Sequence, residues 1–106
     1  YGPRVWALPC GVIGRGEEPG AAASREIAEE LDMELSRLRE VARIEEVISG
    51  SPHTAHLFAA RADAFPRPDG REVIEARFFP PDALPAEMGE ITRSRLEAWK
   101  ASRRRA

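Results

Sequence analysis

Glu26, Glu29, Glu30 and Asp32 fall within seven residues, in the stretch GEEPGAAASREIAEELD, with Arg25 just ahead of them. On a helix, residues three and four apart are neighbours, so Glu26, Glu29 and Glu30 share a face. Like charges so placed repel. A helix stabilised for its own sake would set each Glu four residues before a Lys or Arg. Clustered carboxylates are relieved by a cation. The hard ions Mg²⁺ and Mn²⁺ take oxygen ligands, so divalent-metal binding is the chemistry these residues suit. The plain alternative is an acidic, solvated helix face.

The elements that must position these groups follow from the flanking pattern. Val5–Leu8 reads as a short strand closed by Pro9 and Gly11. Residues 11–20, with four glycines and Pro19, must form a tight loop. A helix is predicted from Gly20 or Ala21 to Leu31, with Ala23, Ile27 and Leu31 as its buried stripe. Asp32 stands at the helix stop, where a left-handed backbone is usual. A strand is predicted over 41–48, then a turn at Gly50–Pro52. His53–Ala64 is apolar on both faces, as in a central strand. FPRPDGR, 65–71, is a Pro and Asp-Gly turn. Val73–Phe79 is a further strand, with Ile74, Ala76 and Phe78 on one face. PPDALP breaks the chain, and a last helix is predicted over 90–102, anchored by Ile91, Leu96 and Trp99. The basic tail Arg103–Arg105 complements the helix dipole. The order is strand, loop, helix, two or three antiparallel strands and helix, which makes an α/β domain with helices packed on a sheet.

The 106 residues suffice for one domain and not two. A formal net charge of -2 points neither to nucleic acid nor to a membrane surface. No apolar run approaches the ~20 residues that span a bilayer, and no signal peptide or repeat is legible. Cys10 is the one cysteine, which excludes an intrachain disulfide and fits a reducing, cytoplasmic setting. The chain opens on Tyr1 and reads as a loop entering a strand, so a fragment is expected.

From Gly11 to Met33 the spacing is G-x5-E-x7-R-E-I-x-E-E-x-D-M. This closely resembles the signature of the Nudix (MutT-like) hydrolases, G-x5-E-x7-R-E-U-x-E-E-x-G-U, with U aliphatic. Gly11, Glu17, Arg25, Glu26, Ile27, Glu29, Glu30 and Met33 all fall in place. WALPCG is similar to the family's W-x-L-P-G-G, and EARFFPPDALP to its E-x-R-W-F-x-x-x-x-L-P. Two positions depart: Asp32 stands for glycine, and Cys10 for the first glycine of the usual pair.

The resemblance implies an α/β/α sandwich with a mixed sheet between helices. It implies a single Nudix domain over 1–106, incomplete at its N-terminus because one or two family strands before W-x-L-P-G-G have no counterpart here. It further implies Mg²⁺- or Mn²⁺-assisted hydrolysis of the pyrophosphate in a nucleoside diphosphate linked to another moiety. The metal ligands implied are Glu26, Glu29, Glu30 and the Cys10 carbonyl, with Glu17 as a further candidate. Arg25 is expected to orient the cluster. The general base is a signature glutamate (Glu29 or Glu30) or the later Glu72, with Glu75 a weaker choice. For His53 and His56 a structural role is preferred to a catalytic one. For Trp6 and Phe58 a core role is preferred to base stacking.

A Nudix-fold module that binds a nucleotide without cleaving it is the alternative, and a small acidic domain binding Ca²⁺ or a basic partner is a third reading. Subfamily markers are missing, which leaves a nucleoside triphosphate or related nucleotide by elimination. A small-molecule partner is expected, with no nucleic-acid polymer and no membrane. A homodimer is compatible with the family.

Overall fold

The computed structural model describes residues 6–71, 73 and 75–105. Helix α1 spans Pro19–Leu31. Proline suits the first helical position, where its missing N–H would have no partner. Strands β1, Leu35–Ile48, and β2, Ser51–Ala62, form an antiparallel hairpin. Helix α2 spans Glu90–Arg105.

The hairpin register explains the layering. Extra residues on β1 between Ser36 and Arg39, and again between Glu40 and Ala42, shift the alternation of faces. Leu38 and Phe58 lie on one face, and both approach Gly20 of α1. Ala42, Ile44 and Glu46 lie with Ala55 and Leu57 on the other, where Arg95 of α2 meets Glu46. The helices therefore cover opposite faces, the α/β/α sandwich expected from the sequence. Among the described residues Ala22, Leu31, Met33 and Ala55 are the buried apolar ones. Of the stripe proposed for α1, Leu31 is buried while Ala23 and Ile27 are half-buried.

Several boundaries differ from expectation. β1 starts at Leu35 rather than 41, because the two bulges break the period-two pattern that a sequence reading relies on. The turn is Ser49-Gly50, both with positive φ (51° and 80°), the backbone of a two-residue hairpin loop. Pro52 belongs to β2, paired with Val47. Among the described residues β2 pairs with β1. The strand predicted over Val5–Leu8 reduces, from Trp6 on, to one parallel bridge between Trp6 and Met88. That bridge is the parallel pairing among the described residues. Residues 73 and 75–79 are irregular, and Phe78 is exposed. Ile74 lies outside the described residues. Helix α2 runs three residues beyond its predicted end, and Ile91 is exposed rather than an anchor. Leu96 and Trp99 are half-buried. Among the described residues no helix is long and apolar enough to cross a membrane.

Candidate active site

The glycine loop and α1 meet at Gly11. A Cβ built there would fall 2.1 Å from both Cγ and Cδ of Glu26. The close approach of backbone to carboxylate is the reason glycine is required at this position. Arg25 ties the loop down from the same helix turn. Its Nε donates to Oε2 of Glu17 at 2.8 Å and its Nη2 to Oε1 at 3.0 Å, a bidentate pair. Nη2 also donates to the Val12 carbonyl at 3.1 Å. Nη1 donates to Glu26 Oε1 at 2.8 Å and to Glu29 Oε2 at 3.3 Å. The Gly14 N–H completes the arrangement by donating to Glu17 Oε1 at 2.8 Å.

One guanidinium thus serves three carboxylates, and part of the repulsion on α1 is relieved by Arg25 itself. The hydrogen bond from Arg25, then that from the Gly14 N–H, lowers the Glu17 pKa from 4.5 to about 2. The bonds from Glu17 and Glu26 raise that of Arg25 above its already high ordinary value. The pair stays charged throughout the physiological range.

Cys10, Gly11, Val12, Glu26, Glu29, Glu30 and Asp69 line an open cleft of about 360 Å³. The sequence-predicted Cys10, Glu26, Glu29 and Glu30 are thereby brought together. Glu17 stands apart, engaged by Arg25 and Gly14 rather than lining the cleft. Glu72 lies outside the described residues. Glu75 pairs with Arg77 at 2.7 Å, and His53 and His56 occupy opposite faces of β2 away from the cleft. Trp6 packs edge-on against Phe79, with ring centroids 5.0 Å apart.

Asp69 is the cleft residue that sequence reasoning missed. PDG was read as a turn, and a turn it is: Asp69 Oδ1 accepts from the N–H groups of Arg71 and Val73 at 3.0 and 2.9 Å. What carries Asp69 to the cleft is a docking of this segment on the end of α1. The Arg67 N–H donates to the Leu31 carbonyl at 2.7 Å and the Asp69 N–H to the Glu30 carbonyl at 2.9 Å. These two carbonyls have no partner within the helix, so an adjacent strand of backbone can claim them. No local signal reports such a contact.

The family model of the NUDIX domain matches residues 1–100 of the chain. The chain belongs to the Nudix family. A crystal structure of a MutT NUDIX hydrolase from Burkholderia pseudomallei is similar, at a TM-score of 0.76 and 30% identity over 89% of this chain and 76% of that one. No curated protein matches the chain. The protein is a Nudix hydrolase, with the general pyrophosphohydrolase activity of that family.

Nudix hydrolases generally use divalent metals, and the donor set here can be tested against that. Glu26, Glu29, Glu30 and Asp69 line the cleft with hard-oxygen side chains, and the absence of a side chain at Gly11 leaves room for Glu26. The type of donor fits. Glu26 and Glu29 are turned toward Arg25, and among the described residues no three His, Cys, Asp or Glu groups converge on one point.

Proposed function

We propose that this Nudix hydrolase cleaves the pyrophosphate bond of a nucleoside diphosphate linked to another moiety, a nucleoside triphosphate or related nucleotide, with Mg²⁺ or Mn²⁺. The single observation that supports this most is the cleft where Cys10 and Gly11 face Glu26, Glu29 and Glu30. Glu26, Glu29, Glu30 and the Cys10 backbone carbonyl would hold the metal. When bound, it would neutralise the diphosphate, polarise its P–O bonds and lower the pKa of the attacking water.

The chain's own residues have separable tasks. Arg25 orients Glu26 and Glu29 and holds the loop through Val12 and Glu17. It is a positioning residue for the carboxylates. A signature glutamate, Glu29 or Glu30, or else the later Glu72, takes the proton from the water. Glu29 is the most exposed of the described α1 carboxylates that Arg25 contacts, its side chain 59% accessible, which leaves it reachable by solvent. Glu17 fixes Arg25 and Gly14 and is assigned no ligand role here.

The test is release of phosphate or pyrophosphate from a nucleotide panel with Mg²⁺ or Mn²⁺, beside Glu29→Gln and Glu30→Gln. Turnover of one nucleotide class, abolished by chelator and lowered by orders of magnitude in both variants, is the expected result. A well-folded protein that binds a nucleotide in calorimetry but turns over none would overturn the reading in favour of a binding module.

A further inference from the structure

The last turn of α1 carries part of the site and has little of its own to hold it. Glu29 and Glu30 stand there, at the end where the helix dipole is negative and carboxylates are disfavoured. That turn has no basic residue to offset them. Its stop is Asp32 in a left-handed conformation, which glycine would adopt at lower cost. What closes this end comes from far along the chain. The Arg67 N–H donates to the Leu31 carbonyl at 2.7 Å and the Asp69 N–H to the Glu30 carbonyl at 2.9 Å. One side chain shapes the segment that supplies them. Asp69 Oδ1 accepts from the Arg71 and Val73 N–H groups at 3.0 and 2.9 Å. The Gly70 N–H donates to the Val73 carbonyl at 2.9 Å, and Gly70 takes the positive φ, 77°, that the turn requires. Asp69 also lines the cleft with Glu29 and Glu30.

We propose that Asp69 is a positioning residue, whose Oδ1 fixes the turn that presents the Arg67 and Asp69 N–H groups to α1 and so holds Glu29 and Glu30 at the cleft. The action runs through the backbone and not through the charge of the carboxylate. Oδ1 gathers two N–H groups, and the turn closed in this way aims two others at the helix carbonyls. Those bonds keep the last helical turn, and the side chains on it, in register with Glu26 one turn earlier. Without them Glu26 would stay anchored by Arg25 while Glu30 moved away from it. Aspartate and asparagine both close such a turn, because each offers the same acceptor. Residues that orient ligands in this way typically account for about 10- to 100-fold in metal affinity. The consequence for metal affinity rests on the metal-binding reading above. The consequence for the helix end does not.

The experiment has two readouts on the wild type, Asp69→Ala, Asp69→Asn and Gly70→Ala. Asp69→Ala removes the acceptor, and Asp69→Asn keeps it while removing the charge. Gly70→Ala strains the same turn through its positive φ, meets no atom within 4 Å, and leaves the Asp69 carboxylate in place. The first readout is amide hydrogen exchange of the metal-free proteins. Exchange at Arg67, Glu30 and Leu31 is expected to rise on the order of tenfold in Asp69→Ala and Gly70→Ala, the equivalent of one lost hydrogen bond. The amides of Arg25, Glu26 and Ile27 should keep their protection, and Asp69→Asn should resemble the wild type. The second readout is Mn²⁺ binding, followed by the paramagnetic resonance of the free ion. Affinity is expected to fall about tenfold in Asp69→Ala and in Gly70→Ala, with most of it recovered in Asp69→Asn. Unchanged protection in Asp69→Ala and Gly70→Ala overturns the proposal. So does an Asp69→Asn variant that keeps its protection but binds Mn²⁺ as weakly as Asp69→Ala, since the charge would then be what matters. Should Asp69→Ala fail to fold, Gly70→Ala decides alone, and unchanged protection there overturns the proposal. If the wild type binds no Mn²⁺ while the exchange pattern appears as described, the metal reading fails and the positioning role stands.

Discussion

Arg25 bridges Glu17, Glu26, Glu29 and the Val12 carbonyl, which makes the loop and the first turns of α1 one electrostatic unit. Two predictions belong to single residues here. Gly11→Ala would force the Glu26 side chain out of its place, since a Cβ and the Glu26 carboxyl carbon would stand 2.1 Å apart. The side chain can swing away, so the fold survives and melting temperature changes little. Activity is expected to fall on the order of 100-fold, the scale of a misplacement near 1 Å. A steady-state assay beside a thermal melt checks this, and near-normal turnover contradicts it. The second concerns acid. Glu17 is depressed from 4.5 to about 2 by Arg25 and then by Gly14. A depressed carboxylate contributes stability that is complete above about pH 4.5 and lost as pH falls through 2. Glu17→Gln should therefore flatten the loss of stability between pH 4.5 and 2, followed by denaturant melts at a series of pH values. An unchanged acid slope would show that the pair is not linked to folding.

At the scale of elements, the end of α1 carries the departure from the family signature. Asp32 adopts φ 51° and ψ 46°, a left-handed conformation, and its N–H donates to the Ala28 carbonyl at 3.2 Å. Aspartate tolerates this region better than most residues but not as well as glycine. Its contact with Arg67, at 3.9 Å between exposed side chains, is worth little. Asp32→Gly is expected to stabilise the protein by about 1 kcal/mol without altering the cleft. Urea unfolding measures it, and a loss of stability would mean that the Arg67 contact outweighs the backbone gain. The same helix end also accepts the 67–69 segment, so the element that presents Glu29 and Glu30 is the element that brings Asp69 to them.

At the scale of the molecule, the two helices cover opposite faces of a hairpin, and α1 holds the glycine loop through Arg25. The Glu46–Arg95 pair links α2 to β1 across 49 positions of sequence. Glu46→Gln leaves the guanidinium without its carboxylate in a half-buried place. A loss of about 1–2 kcal/mol is expected after allowing for solvent screening. Chemical denaturation tests this, and a variant as stable as the wild type would show that the pair adds nothing net, as many ion pairs do.

The chemistry-bearing helix was legible in the sequence because its geometry is local. Spacings of three and four put Glu26, Glu29 and Glu30 together wherever a helix forms, and the glycine loop, Pro19 and Asp32 mark its ends. The signature placed the chain in its family for the same reason, as a set of short-range spacings. The tertiary structure decided the contacts between segments far apart in sequence. The bulges in β1 shifted its faces and lengthened it beyond its visible period. The docking of 67–69 on α1 delivered Asp69, and the packing of α2 on β1 carried Arg95 to Glu46. Such contacts depend on which orphan carbonyls and which sheet faces meet, and those meetings follow from the sum of packing over the whole chain rather than from the residues on either side.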